Sequence, residues 1–290
     1  MTERLYQESG KASALSIVLT VLSGTAALSV FTYVYSLFLV YIPIVYLNVI
    51  STTVLAFIVS YLSQLFNRTF KIRNHKKSIL ITLVIGVIAV YLQWVWYVTL
   101  VLSFDSSPLS NLSNFFGLCI RPDSVIQSII DINTIGVWEF FGSPVTGLIL
   151  WGIWCLEAGI IIFVAYNNYR HFEIIPFSEK DNTWFKKEYI NVDFEYIAFK
   201  QKFIDKMETN ASDAILQLEK GHGIRYSKTA VFRAPTEQKS LVSIDNIIVT
   251  QRGKGSKDIT KVLPLMYVDN HHLVILKKIF EFKKTSIFEF

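Results

Sequence analysis

From Ala12 to Phe66 the chain carries no Asp, Glu, Lys, Arg or His. A stretch this long and this free of charge has one natural solvent. One helical crossing of a bilayer takes about 20 residues, so the run predicts two membrane-spanning helices joined by a tight turn. The turn is placed between Leu37 and Leu47. Pro43 interrupts helical hydrogen bonding there, and Tyr33, Tyr35, Tyr41 and Tyr46 suit the membrane–water boundary. Span one is expected over Ser13–Phe38 and span two over Ile44–Phe66. Glu3 and Glu8 lie beside Arg4 and Lys11, and the apolar run far outlasts a signal-peptide core, so a retained span is expected rather than a cleaved leader. Two further apolar stretches, Ser78–Ser103 and Pro144–Tyr166, predict spans three and four, with Glu157 the one charge inside them.

Composition agrees. Apolar side chains make up 52% of residues and charged ones 18%, too greasy a balance for one water-soluble core. Two cysteines give neither a disulfide framework nor a cysteine-based zinc site. The short segment Asn67–Lys77 holds Arg68, Lys71, Arg73, Lys76 and Lys77 without an acid, whereas Phe104–Gly142 holds Arg121 against Asp105, Asp123, Asp131 and Glu139. Positive residues stay inside, so both termini are expected in the cytoplasm, with those five cations also meeting anionic lipid head groups. Leu109, Leu112, Phe115 and Phe116, then Val125, Ile126, Ile129, Ile130 and Ile132, give the outer connector two apolar faces. They predict one or two short amphipathic helices lying on the membrane surface or capping the bundle.

Beyond Asn167 the composition changes, and 36 of the chain's 51 charged residues fall there. The expected division is a four-span domain over residues 1–170 and a cytosolic α+β domain over 171–290, large enough for its own core. Apolar positions Phe194, Ile197, Phe203 and Met207 predict a helix over Val192–Met207. Asn210 caps a second helix over Ala211–Lys220. Arg225–Arg233, Ser240–Gln251 and Ile259–Val268 read as strands, the last two joined by the glycine-containing hairpin Arg252–Lys257. Asp269 or Asn270 caps a last helix over His271–Lys284.

Candidate functional residues are few. An acid at mid-membrane costs at least a few kcal/mol and faces the bundle interior or water, so Glu157 marks either an ion path or a hydrogen bond to another helix, with Gln93 the natural partner. Ser16, Thr20, Ser23, Ala27 and Val30 form a small and hydroxyl-bearing stripe that packs helices closely or lines a weakly polar pore. Asn48 bridges helices or sits in a vestibule. Arg252, Lys254 and Lys257 could contact a phosphate or nucleotide-like anion, although their glycines join two strands rather than a strand and a helix. No HExxH sequence, nucleophile elbow, phosphate-binding loop or kinase signature is present, so no catalytic residue, metal or cofactor is expected.

In layout, a four-span block followed by a small soluble domain, the chain is similar to membrane effectors of bacterial anti-phage defence. The likeness is one of architecture and transfers no functional residue. It implies an oligomeric inner-membrane channel or pore gated through its cytosolic domain. The competing expectations are a membrane-anchored scaffold that binds a soluble partner and, less favoured, a lipid-active enzyme.

Overall fold

A computed structural model of the chain describes residues 4–42, 45–102, 108–137, 139–140, 143–221, 223–250 and 256–284. It divides into two compact units. One is Ser9–Glu173; the other joins Met1–Glu8 to Ile174–Phe290. The first residues therefore fall in the strand-rich unit.

The helical unit begins with α1 (Ala14–Tyr41), α2 (Val45–Thr69) and α3 (His75–Leu102). A connector follows, holding α4 (Pro108–Cys119), α5 (Pro122–Ile135) and a two-residue hairpin of β1 (Glu139–Phe140) and β2 (Ser143–Pro144), before α6 (Gly147–Arg170). Helices α1, α2, α3 and α6 are long and apolar enough to cross a bilayer, which makes this a multi-pass membrane protein. Residues 43 and 44 of the predicted turn lie outside the described residues.

Hydroxyl side chains in these helices mostly return to their own backbone. Thr20 donates to the Ser16 carbonyl, Thr52 to Asn48, Ser63 to Val59, Thr82 to Ser78 and Thr99 to Val95, each at 2.7–2.9 Å. That satisfies them in hydrocarbon without a partner helix. A smaller set of polar contacts links neighbours. Tyr35 of α1 meets Thr52 of α2 at 2.8 Å, and Ser36 of α1 donates to the Gln93 carbonyl of α3 at 3.0 Å. Asn67 of α2 donates to the Tyr169 hydroxyl of α6, and Asn168 of α6 to Ser60 of α2, both at 3.0 Å. Such bonds average only about 0.6 kcal/mol in membrane bundles, so packing carries the rest. Leu28, Leu55, Ile85 and Ile161 are buried members of one continuous apolar cluster. Helix α1 neighbours α2 and α3, α6 neighbours α2 and α3, and α1 and α6 occupy opposite corners.

The two connector helices were expected, and their apolar faces split. Phe115 stacks on Trp96 of α3 with centroids 3.8 Å apart, and Val125 is buried against the bundle, whereas Phe116, Ile126 and Ile130 are exposed.

The strand-rich unit contains a two-stranded ribbon, β3 (Phe177–Ser178) with β4 (Thr183–Trp184), then β5 (Lys186–Ile190), α7 (Lys200–Thr209), α8 (Ala211–Leu216), β6 (Arg225–Arg233), β7 (Lys239–Thr250), β8 (Ser256–Asp269), α9 (Asn270–Ile279) and β9 (Phe282–Lys284). Five strands form one antiparallel sheet in the order β8-β7-β6-β5-β9. Its side chains alternate as a two-faced sheet requires. Val231, Val242, Met266 and Val268 pack beneath α7, α8 and α9, while Ala230, Phe232 and Leu241 turn to the other face with Phe185 and Tyr267. A bulge between Val242 and Asp245 shifts the register against β8 and accommodates Pro264, which lacks the N–H a regular ladder needs. The free side of β8 is met by the N-terminal segment: Leu5 bridges to Met266, and the Tyr6 N–H donates to the Leu265 carbonyl at 2.9 Å.

Three predicted helices are corrected, the one expected over Ala211–Lys220 ending already at Leu216. Residues 192–199 are not helical: Phe194 forms bridges to Lys220 and Ser227, and the helix begins only at Lys200. Phe194 and Ile197 bury as the helical period demanded, through sheet-like pairing. The last helix stops at Ile279, and 282–284 pair with β5 as an edge strand. Strand Arg225–Arg233 and the Asn210 cap, whose side chain accepts from the Asp213 N–H, are as predicted.

Candidate functional site

The spans are apolar on all sides, so their polar exceptions define the site. Glu157 is the eleventh residue of α6 and lies 7% exposed inside the chain's own bundle. Gln93 of α3 is 3% exposed and Asn48, near the start of α2, is 2% exposed. All three line one small pocket of about 20 Å³, walled further by Leu39, Trp94, Tyr97, Trp154 and Val137. It lies toward the connector end of the helices, remote from the basic turn at 70–74. The space holds one water-sized occupant.

Local spacing explains the convergence. Gln93 and Tyr97 are four residues apart on one face of α3, and Trp154 and Glu157 three apart on one face of α6. The ring of Trp94 meets that of Trp154 edge-on at 4.8 Å and fixes the two faces together. The expected hydrogen bond between Glu157 and Gln93 is not formed among the described residues. The two share a cavity instead, and the Glu157 carboxyl has no hydrogen-bond or ion-pair partner there. The Asn48 side-chain oxygen is likewise buried without one. Tyr35 and Tyr97 are near enough to feel a charge on Glu157. The Tyr35 hydroxyl hydrogen is already engaged: Thr52 donates to the Asn48 carbonyl, so Tyr35 donates to the Thr52 oxygen.

The remaining predicted residues lie elsewhere. Ser16, Thr20 and Ser23 are on α1 and do not line the cavity. Thr20 is buried with its hydroxyl on Ser16, and nearby Gly24 packs so closely that an added Cβ would stand 3.1 Å from Ile85 Cδ1 of α3. Arg68, Lys71 and Arg73 are half-buried around the α2–α3 turn, and Lys76 and Lys77 are exposed at the start of α3. Lys71 takes a positive φ of 56° there, and the Arg73 N–H donates to the Lys11 carbonyl at 2.9 Å. Arg252 and Lys254 lie outside the described residues; Lys257 is exposed on β8 opposite Val249.

Two features of the strand-rich unit escaped the sequence reading. A concavity of about 430 Å³ is lined by Lys186, Glu188, Arg233, Glu237, Ser240, Asn270, Leu273, Val274 and Lys277. Its acids are already engaged: Arg233 pairs with Glu188, and the Ser178 hydroxyl donates to Glu237 at 2.6 Å. Lys186 and Lys277 supply the cationic rim. Nearby, Ser212 contacts His272 Nδ1 at 2.9 Å and Asn210 Oδ1 at 2.9 Å. Burial, then the adjoining His271, hold the His272 imidazole below its ordinary range. Ser212 is 1% exposed, so this pair ties α8 to α9 rather than presenting a nucleophile.

No protein-family model matches the chain, and no curated protein or solved structure is significantly similar to it.

Proposed function

We propose that this protein is a homo-oligomeric inner-membrane channel or pore-type effector, controlled through its strand-rich unit, of the kind used in anti-phage defence. What carries the reading is the 7% exposed Glu157, which shares a small polar pocket with Gln93 and Asn48 toward the connector end of the bundle. Intramembrane acids that face a bundle interior typically serve ion or proton movement. A single four-helix bundle encloses no wide pore, so conduction at useful rates calls for symmetric copies. Helix α1 offers a face for them: Leu15, Val18, Leu22, Val30 and Val34 are all exposed.

The test is ion flux from liposomes holding the purified full chain. Glu157→Gln keeps size and much hydrogen-bonding capacity. It is expected to leave assembly intact and to change flux or its pH dependence. Glu157→Leu is expected to lower flux about tenfold or more, the size of effect that about 1.4 kcal/mol at the barrier produces. Flux equal to the parent's in both variants removes Glu157 from conduction.

The orientation proposed, both termini cytoplasmic, rests on the basic turn. In a background lacking Cys119 and Cys155, Ser113→Cys on exposed α4 is expected to react with an impermeant maleimide from outside, and Lys76→Cys only after permeabilisation. The inverse pattern reverses the topology. The native thiols need removal, although burial pushes that of Cys119 up and slows its reaction.

A second reading, a membrane-anchored scaffold or regulator, draws on the concavity of the strand-rich unit, whose lysines and apolar floor of Leu273 and Val274 suit an anionic ligand or a soluble partner. A chain that binds such a partner and passes no ions with or without it would favour this reading.

A further inference from the structure

The cavity between α2, α3 and α6 poses a problem of charge balance. An ionised carboxylate taken out of water and left unpaired costs several kcal/mol. Glu157 is 7% exposed, and no basic residue lines its pocket among the described residues. The spans bring one acid and no opposing Lys or Arg to this depth. Asn48 Oδ1 is buried and left without a donor. Gln93 adds a third polar side chain to the same walls. Three oxygen-bearing side chains from three helices therefore line a space that admits one water-sized body.

We propose that this cavity is a binding site for a single monovalent cation of the sodium class, held by the Glu157 carboxylate and the side-chain carbonyls of Asn48 and Gln93. Hard cations without d-electron preferences take oxygen donors, and amide carbonyls replace a stripped hydration shell in membrane sites. One carboxylate balances one positive charge, so a divalent ion would leave a net charge in the low-dielectric interior. Among the described residues the walls offer no thiolate or imidazole for zinc or copper. The titratable neighbours are Tyr35 from α1 and Tyr97 from α3; α2 contributes Asn48 and no ionisable group. Proton and cation then contend for the same carboxylate, and lowering the pH weakens cation binding.

The inference uses the cavity on which the channel reading also rests, but binding and conduction are measured separately. Trp94 and Trp154 line the cavity and report on it. In full-length protein in detergent, choline chloride is replaced by sodium chloride at constant ionic strength while tryptophan emission and the thermal midpoint are followed. The expected result is a saturable change that weakens as pH falls. Glu157→Gln is expected to abolish it, and Glu157→Asp, which keeps the charge, to retain it with lower affinity. Asn48→Leu is expected to weaken it about tenfold, the loss of one oxygen ligand at about 1.4 kcal/mol. Absence of a saturable sodium response in folded parent protein, an undiminished response in Glu157→Gln, or saturation by magnesium with sodium inert overturns the proposal. Sodium binding without flux sustains the site and sinks the channel; flux without sodium binding does the reverse.

Discussion

Gly221→Ala is expected to destabilise the strand-rich unit by about 3 kcal/mol, at the upper end of what forced overpacking costs. An added Cβ would stand 2.2 Å from the Phe194 carbonyl oxygen and 2.6 Å from its carbon, closer than such atoms approach. Relief would require Phe194 to move, and its backbone is held on every side. Its N–H donates to the Ser227 carbonyl at 2.9 Å, its own carbonyl accepts from the Ser227 N–H at 2.8 Å, and the adjoining Glu195 N–H donates to Glu219 at 2.9 Å. The Phe194 ring is 1% exposed and sits among the core residues beneath the helices. In full-length protein, urea-dependent proteolysis is expected to release fragments cut beyond residue 174 at much lower urea than in the parent. Gly24→Ala is the internal contrast. There the nearest atom, at 3.1 Å, is the far end of the Ile85 side chain, which can yield, so resistance to cleavage is expected to change little.

Asn246→Leu carries the second large effect. The Asn246 side chain on β7 is 3% exposed and acts as a substitute strand. Its amide donates to the Ile197 carbonyl at 2.9 Å, and its oxygen accepts from the Ile197 N–H at 3.2 Å. Residues 192–199 form no helix, so this pair of bonds replaces the regular ladder that Ile197 lacks. Leucine is of similar size but strands both groups in a buried place. At about 1–3 kcal/mol for each unsatisfied polar group, the expected loss is about 3 kcal/mol. Asn246→Asp keeps the acceptor and loses the donor, so it is expected to fall between the two. The same proteolysis measurement checks the order, and equal stability of Asn246→Leu and the parent would show that the clamp contributes nothing.

The clamp also shows why part of the strand-rich unit was illegible in the sequence. Phe194, Ile197, Phe203 and Met207 fall at helical spacing, and all four are buried. Spacing records which residues leave water and not which backbone partner they find, and Asn246, nearly fifty positions away, supplies that partner. Strand Arg225–Arg233 was legible because Tyr226, Thr229, Val231 and Phe232 favour extended backbone and Gly221 and Gly223 mark a break before it. β9 was hidden because Phe282 and Lys284 continue the pattern of α9 and pair only with distant β5.

Within the bundle the balance differs. Charge-free length revealed the spans, and the rarity of Glu at mid-membrane singled out Glu157. The rotation of each helix about its axis was not readable, since a helix greasy on all faces has no preferred face in its pattern. That is why Gln93 emerged as a partner for Glu157 while Asn48, Tyr97 and the two tryptophans of the cavity did not join it. A polar residue in a span announces that it needs company, and only packing says whose.

The pairing of Leu5 with Met266 places constraints on the order of manufacture. Leu5 leaves the ribosome before any span has formed, and Met266 after all four have been made. The first β-segment of the chain must therefore wait through the insertion of the whole bundle for the strand it is to meet. Until then the outer side of β8 does not exist to be covered, and once made it stands as an unpaired sheet edge open to neighbouring chains. Tyr6 and Leu5 close it from a segment that precedes α1 by fewer than ten residues in the chain. A fusion that buries or displaces residues 4–8 would leave that edge bare. Its cost would appear as aggregation during synthesis, before any effect on the finished protein could be measured.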